Sequence, residues 1–286
     1  MEAREKNAVV AGTLYLVATP IGNMADLSER AVKTLTEVDF VAAEDTRNSG
    51  LFLSRLGIKK PLVSYFEHNK AVKGRVIVDR IKAGESCALV TDAGTPAISD
   101  PGEDIVRLCA EEGVPVTSIP GPAACITALT LSALPTRRFV FEGFLPTEKS
   151  ERRERLSSLA KEERTVLIYE APHRLRATLS DLLSSLGDRD ISLCRELTKL
   201  NEEVERTTLS VAVEIYSQKE PRGEYVLVIG GAAKEEASYP EDILGHMRMY
   251  TSLGEKKMDA IKMVAKDRGI SKSEAYDLVL EAEKNR

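Results

Sequence analysis

The chain has little of several things that would narrow its chemistry at once. Its 286 residues include three histidines, four cysteines and no tryptophan. His68, His173 and His246 fall in no metal-ligand spacing, which argues against a zinc centre. Cys87, Cys109, Cys125 and Cys194 lie far apart in apolar settings, with no C-x-x-C pair and no histidine beside them. Buried thiols in a reducing cytoplasm fit that pattern better than disulfides or metal ligands. No apolar run reaches transmembrane length. The run from Ala8 to Ala18 follows Glu2 and Glu5 and ends in Thr19-Pro20-Ile21-Gly22. That lacks the basic leader and small-residue cleavage site of a signal peptide, so a first strand is expected there. There is no G-x-x-x-x-G-K-[ST] loop, no G-x-S-x-G elbow and no internal repeat. A net charge of -5 and a pI near 5.5 argue against a protein that simply coats nucleic acid. An RNA-acting chain of this composition needs its basic residues locally clustered.

What is present suits a soluble globular protein of two domains or one large one: 43% hydrophobic and 30% charged residues. The most informative stretch is 87–102, CALVTDAGTPAISDPG. Its apolar start fits a buried strand of a parallel sheet. A polar turn, Thr91-Asp92-Ala93-Gly94-Thr95-Pro96, follows. Asp100 is placed to cap the next helix, with Pro101 at its first position and Glu103 completing a capping box. A tight connection without ligand would need only two to six residues. This one is longer and rich in hydroxyls and carboxylates, as expected at the edge of a site at strand ends.

The same alternation runs through the first 130 residues. Strands are expected at 14–18, 38–43, 62–65, 87–91 and 114–119. Asp26 with Glu29 is placed to cap the first helix, and PGPAACITALTLSAL opens the last. Such order implies a mostly parallel sheet covered on both faces. The pattern restarts around Pro135-Thr136-Arg137-Arg138. The second half offers strands near 139–144, 165–170, 190–195, 204–209 and 225–230, and helices near 150–162, 173–186 and 210–218. Its later strands are close enough for antiparallel pairing. The expected division is 1–134, 135–232 and a helical tail at 240–286, after a polar linker beyond Gly231.

The first half thus presents the loops TPIGN, AEDTR, EHN and TDAGTP at strand ends. Glu44-Asp45 lies where a Rossmann ribose-binding carboxylate belongs, but TPIGN lacks G-x-G-x-x-G, and Pro20 removes an N–H. A dinucleotide is therefore not expected.

VATPIGNMADLSERA, AAEDTRNSGLFL, VTDAGTPAISDPG, IPGPAACITAL, FEGFLP, YEAPHRL and RELTK occur in that order. The set, covering residues 12–231, resembles the bacterial ribose 2′-O-methyltransferases of small-subunit ribosomal RNA. These act on a cytidine of 16S rRNA at the decoding centre and belong to the tetrapyrrole methylase superfamily. TDAGTP replaces the shorter G-D-P loop of the tetrapyrrole methylases proper, which argues against a porphyrin or precorrin substrate. The resemblance implies two α/β domains with a small C-terminal helical extension, a homodimer, and S-adenosylmethionine in the cleft between the domains. It places Ile21 and Gly22 beneath the methionine part of the cofactor. Asp92, Gly94, Thr95, Pro96 and Ile98 would supply contacts, Ala123 and Ala124 would leave room, and Tyr169 and Glu170 would close the far side.

Methyl transfer to a hydroxyl is helped by a base within hydrogen-bond reach. Glu44, Asp45, His68, Asp100, Glu170 and His173 are the candidates; capping already explains Asp100. Asp45 is preferred, with a plain ion pair to Arg47 as the structural alternative. Arg47, His68, Asn69, Arg137, Arg138, Arg152, Arg153 and Arg174 are the expected RNA contacts. For 149–155, a solvated helix face is the competing reading. The tail suggests two helices joined by Arg268-Gly269-Ile270, with Ile261, Val264, Ala265, Ile270, Ala275 and Leu278 as a small core. A helix-turn-helix regulator is the alternative from another class, and a small-molecule methylase is the other. Glu274, Asp277, Glu281 and Glu283 make a poor face for DNA, so an accessory RNA-gripping module is expected.

Overall fold

Alternation along the first four-residue strands decides how the first half is layered. The structure, a computed structural model, describes residues 8–233 and 239–284. Residues 1–7, with Glu2 and Glu5, and much of the expected linker lie outside the described residues. Strands β1 (Leu14–Val17), β2 (Phe40–Ala43), β3 (Leu62–Ser64), β4 (Cys87–Val90) and β5 (Val116–Ile119) form one parallel sheet in the order β3-β2-β4-β1-β5. Successive side chains point to opposite faces. Leu14, Phe40 and Leu89 pack with Ile77, Ile81 and Ile105 on one side. Tyr15, Val41 and Val90 pack with Leu35 and Leu53 on the other. Helices α1 (Glu29–Glu37) and α2 (Thr46–Arg55) supply the second layer, and α3 (Lys70–Lys82) and α4 (Gly102–Glu111) the first. Because every strand runs the same way, all five carboxyl ends and their loops gather along one edge.

The second sheet is mixed. Strands β6 (Phe139–Phe144), β7 (Thr165–Glu170), β8 (Asp190–Arg195), β9 (Glu203–Thr208) and β10 (Tyr225–Ile229) take the order β6-β7-β10-β8-β9. Only β6 and β7 pair in parallel; the other pairs are antiparallel. Helices α6 (Lys149–Leu159), α7 (Pro172–Leu186) and α8 (Leu209–Gln218) cover one face. The other face is covered by α5 (Ala124–Leu131), through Cys125, Ala128 and Leu129 against Leu167, Cys194 and Val226. The helix that follows β5 therefore serves the second sheet. All four cysteines are buried.

Three local expectations change. Ser28, not Asp26, caps α1, its hydroxyl accepting from Ala31 N at 3.1 Å. Asp26 ends a separate 3-10 turn, Met24–Asp26, capped by Asn23. Before α4, Asp100 accepts from Gly102 N at 2.8 Å, but Pro101 is the cap position and Glu103 turns outward to Arg107. No reciprocal capping box forms there.

The described residues 239–284 belong to a second compact unit. The two helices expected on either side of Arg268-Gly269-Ile270 are present as α10 (Lys257–Arg268) and α11 (Lys272–Lys284), and among the described residues a further helix, α9 (Ile243–Ser252), precedes them. Ile261, Val264, Ala265 and Ala275 are buried as expected, with Ile270 packed against them. Leu278 is exposed, and Val279, one position on, takes the core place. Ser271 accepts from Glu274 N at 3.2 Å, and Gly269 adopts the left-handed conformation that ends α10. Among the described residues, no helix is long and apolar enough to cross a membrane.

Candidate active site

A cavity of about 460 Å³ lies where the carboxyl-end loops of the first sheet meet one end of the second. From the first sheet come Ile21, Glu44, Asp92, Gly94, Thr95, Ile98, Asp100, Ala123 and Ala124. The second contributes Phe144 and Tyr169 from its parallel strands. It also gives Glu170, Cys194, Glu196, Leu197, Lys199 and Val226. The loops are tied to each other before any ligand is considered. Thr19 and Gly94 exchange backbone hydrogen bonds at 2.9 and 3.1 Å, and the Thr95 hydroxyl donates to Pro122 O at 2.9 Å.

Four non-glycine residues with left-handed backbone sit in the two turns at this cavity: Ala97, Ser99, Glu196 and Thr198. Such strain concentrates at functional sites, because only a surrounding structure that over-determines it keeps it in place. Asp100 supplies that hold for the first turn, accepting from Ala97 N and Ile98 N at 3.0 Å each. In the second turn, Lys199 Nζ bonds Glu196 Oε1 at 2.8 Å and Glu224 Oε2 at 2.7 Å.

The expected catalytic carboxylates separate into three situations. Asp45 caps α2, accepting from Arg47 N at 2.8 Å, and pairs with the Arg47 guanidinium at 2.7 Å. That guanidinium holds its carboxyl at about 2, and Asp45 does not line the cavity. The structural alternative for Asp45 is thus the geometry found. Glu170 lines the cavity but is 2% exposed and fully engaged, with Ala171 N at 2.9 Å, Arg174 and the Thr178 hydroxyl as partners. It positions the start of α7. Glu44 has no hydrogen-bond partner among the described residues and opens onto the cavity. Glu44 is itself solvent-exposed, and partial desolvation at the cavity, then the charges of Asp92, Asp100 and Asp45, push its carboxyl above the ordinary value. A carboxylate with raised proton affinity and no structural duty is a base candidate.

Of the expected cofactor residues, Ile21, Asp92, Gly94, Thr95, Ile98, Ala123, Ala124 and Tyr169 line the cavity; Gly22 and Pro96 do not. Gly22 serves a close approach instead: a Cβ there would lie 2.4 Å from Lys199 Cγ and 2.8 Å from Thr198 Oγ1. That threonine hydroxyl is buried and unpartnered among the described residues. Small residues for close approach, an apolar wall of Ile21, Ile98, Leu197 and Val226, and Asp92 as a polar anchor suit a compact ligand with both polar and ring parts. The Tyr169 hydroxyl accepts from Cys125 N at 3.2 Å, and burial raises its proton affinity.

The expected RNA contacts also divide. Arg152 is spent on Asp181 and Thr178 at 2.8 and 2.9 Å, and Arg174 on Leu145 O at 2.8 Å. Asn69 closes its own turn through Phe66 N and Ser64 O. These three are structural. Arg137, Arg138, Arg153 and His68 are exposed, and Arg47 is exposed beyond its bond to Asp45. Arg137 and Arg138 precede β6, whose far end reaches the cavity at Phe144, roughly 20 Å away at about 3.3 Å per residue.

Sequence reasoning assigned no role to Phe144, Glu196, Leu197, Lys199 or Val226, although FEGFLP and RELTK contain four of them. Strand direction was the missing signal. Antiparallel pairing brings the start of β10 and the end of β8 to the same sheet end as the carboxyl ends of β6 and β7.

Comparison with known proteins agrees with this geometry. The family model Tetrapyrrole (Corrin/Porphyrin) Methylases matches residues 13–212. Ribosomal RNA small subunit methyltransferase I of Synechocystis sp. is 46% identical over 275 residues, covering 95% of this chain and 99% of that protein. The protein of that name from Escherichia coli O157:H7 is 40% identical, covering 94% and 95%. Among solved structures, uroporphyrin III C-methyl transferase from Thermus thermophilus is similar in fold, with a TM-score of 0.55, 19% identity, and 76% and 97% of the two chains covered. The same enzyme complexed with S-adenosyl homocysteine gives 0.54, at 20% identity and the same coverage. The chain belongs to the tetrapyrrole methylase family and, within it, to the group of ribosomal RNA small subunit methyltransferase I.

Proposed function

We propose that the chain transfers a methyl group from S-adenosylmethionine to the ribose 2′-hydroxyl of a cytidine in 16S ribosomal RNA, at the decoding centre. Family membership makes it a methyltransferase that uses S-adenosylmethionine, and the names of its relatives bring ribosomal RNA as the substrate. The observation that carries the finer reading is Glu44, an unpartnered carboxylate of raised proton affinity in the cavity. A hydroxyl is a weak nucleophile whose proton must leave as the oxygen is alkylated, so it needs such a group.

The bound cofactor supplies a methyl group already activated on a sulfonium sulfur. Asp92, the backbone of Ala93–Thr95, and Ala123–Ala124 would hold it from the first sheet, with Tyr169, Leu197 and Val226 on the second. Glu44 takes the hydroxyl proton on its carboxylate. Asp100 keeps the turn that carries Ile98 in place, and the apolar wall excludes water. Alignment of the reacting atoms accounts for much of the rate gain.

Arg47, His68, Arg137, Arg138 and Arg153 are the side chains left to meet RNA phosphates, and the assembled small subunit, met by a homodimer, is the proposed substrate. The helical tail adds grip on that RNA. Removal of residues 240–286 should lower activity on assembled subunits; unchanged activity would exclude that role.

Labelled S-adenosylmethionine and small subunits lacking ribose methylation test the whole reading. One cytidine linkage made resistant to alkaline cleavage is the expected result. Label at an alkali-sensitive position would move the methyl to a base. No label in RNA, with cofactor still bound, would turn the assignment to a tetrapyrrole or a protein acceptor.

A further inference from the structure

Two large apolar side chains stand exposed at the mouth of this cavity. Phe144, the last residue of β6, is 54% exposed, and Ile98, in the turn after β4, is 44% exposed. Scattered exposed apolar residues are ordinary; two on one cavity rim are not scattered. Gly143 and Ser99 bring them there, since a Cβ on Gly143 would lie 2.8 Å from Ser99 Oγ. The Phe144 ring is also fixed in direction. It meets Tyr169 edge-on, with centroids 5.5 Å apart at 61°, and Tyr169 is braced from another side by Phe141 at 5.0 Å. The result is a flat apolar surface, already oriented and half open to solvent.

Charge decides what covers it. Glu44, Asp92 and Asp100 gather in the cavity. The nearby cations are committed: Lys199 to Glu196 and Glu224, Arg174 to Leu145 O and Glu170. A phosphate at this mouth meets like charge, while an uncharged planar ring does not. A polyanion uses such a mouth by turning one nucleoside inward and leaving its phosphates outside, where Arg47 is exposed. We propose that Phe144, with Ile98 beside it on the rim, is the stacking platform for the base of the nucleotide being methylated, which enters unstacked from its RNA. This rests on the ribose-methylation reading above.

The same chemistry, a planar base on an aromatic face, also describes the adenine of the cofactor, so the test separates the two. The chain has no tryptophan, and Phe144→Trp in the full-length protein therefore installs a single fluorescent reporter. The variant keeps an aromatic face at that position. Its fluorescence should be unchanged by S-adenosylmethionine alone and quenched when unmodified small subunits are added to the cofactor-saturated enzyme. Phe144→Leu keeps apolar bulk without the ring. It should lower kcat/KM for subunits roughly five- to a hundredfold, the range for losing one stacked base, while cofactor affinity by calorimetry is unchanged. Quenching by the cofactor alone, with loss of cofactor affinity in Phe144→Leu, would give the platform to adenine and overturn the proposal. Phe144→Leu at wild-type efficiency would overturn it too. Wild-type enzyme that binds cofactor yet labels no ribosomal RNA would instead bring down the ribose reading, and the platform with it.

Discussion

The turn after β4 and the turn after β8 line one cavity from different sheets and solve the same problem with opposite means. Each carries two non-glycine residues in left-handed backbone, Ala97 and Ser99 in one, Glu196 and Thr198 in the other. Each such residue costs about 1–3 kcal/mol, so each turn needs a brace. Asp100 braces the first with three short bonds to backbone N–H groups inside the turn. Lys199 braces the second with ion pairs that reach to Glu224, whose side chain is 81% exposed. Local bonds to backbone tolerate salt; a solvent-facing ion pair does not. The rigid turn belongs to the wall that presents Glu44, the proposed base, and Asp92, the proposed cofactor anchor. The salt-dependent turn belongs to the wall that shapes the ligand.

The comparison breaks hardest at Glu44. If the first wall carries the chemistry, Glu44→Gln should lower kcat by about 10²–10⁴-fold, with cofactor affinity by calorimetry unchanged. Asp45→Asn, one residue on, should keep most of the turnover and lose only a little melting temperature through its cap. Equal losses in the two variants would return the base to Asp45 or to neither. The next largest effect is expected from Asp100→Ala. Loss of bonds to three backbone donors should lower unfolding stability by roughly 1–3 kcal/mol. It should also raise the cofactor Kd, because Ile98 loses its fixed position.

The fold was legible because short apolar runs, alternating with helical segments and joined by polar or Gly/Pro-containing loops, agreed along the chain. All ten strands fall within a residue or two of their expected places. The tail was less so, since a one-residue ambiguity exchanged Leu278 for Val279. The first wall of the site was legible too, since parallel strands force their loops together. Its partner wall was not, because Lys199 and Val226 lie apart in sequence and only antiparallel pairing joins them. Glu44 and Asp45 look alike in sequence; the structure adds that Asp45 pairs with Arg47 outside the cavity while Glu44 lines it.

Lys199→Met sharpens the contrast between the two braces. Exposed ion pairs contribute little, so unfolding stability should fall by only about 0.5–1 kcal/mol. The cofactor Kd should rise a few-fold at low salt, and the difference from wild type should shrink toward about 1 M salt, where the screening length is near 3 Å. Asp100→Ala should show no such recovery. A salt-independent Lys199→Met defect would mean that the side chain acts by packing against Gly22.

The smallest effect is the most diagnostic of charge in the first wall. Glu44 must be ionised to accept a proton, so kcat/KM should fall as pH drops through its carboxyl value, and that limb should lie above the ordinary 4.5. Partial desolvation is the largest cause of the rise and Asp92 the next. Asp92→Asn, assayed at saturating cofactor, should therefore move the limb downward without returning it to the ordinary value. Stability should follow with the matching sign. A carboxyl whose proton affinity is raised by folding contributes stability below its unfolded value and loses it as pH rises through the folded one. Removing the Asp92 charge relieves part of that loss, so the variant should unfold at slightly higher denaturant than wild type at pH 7 and show no gain at pH 4. A limb that stays fixed while turnover drops would show that Asp92 acts on the cofactor and not on Glu44.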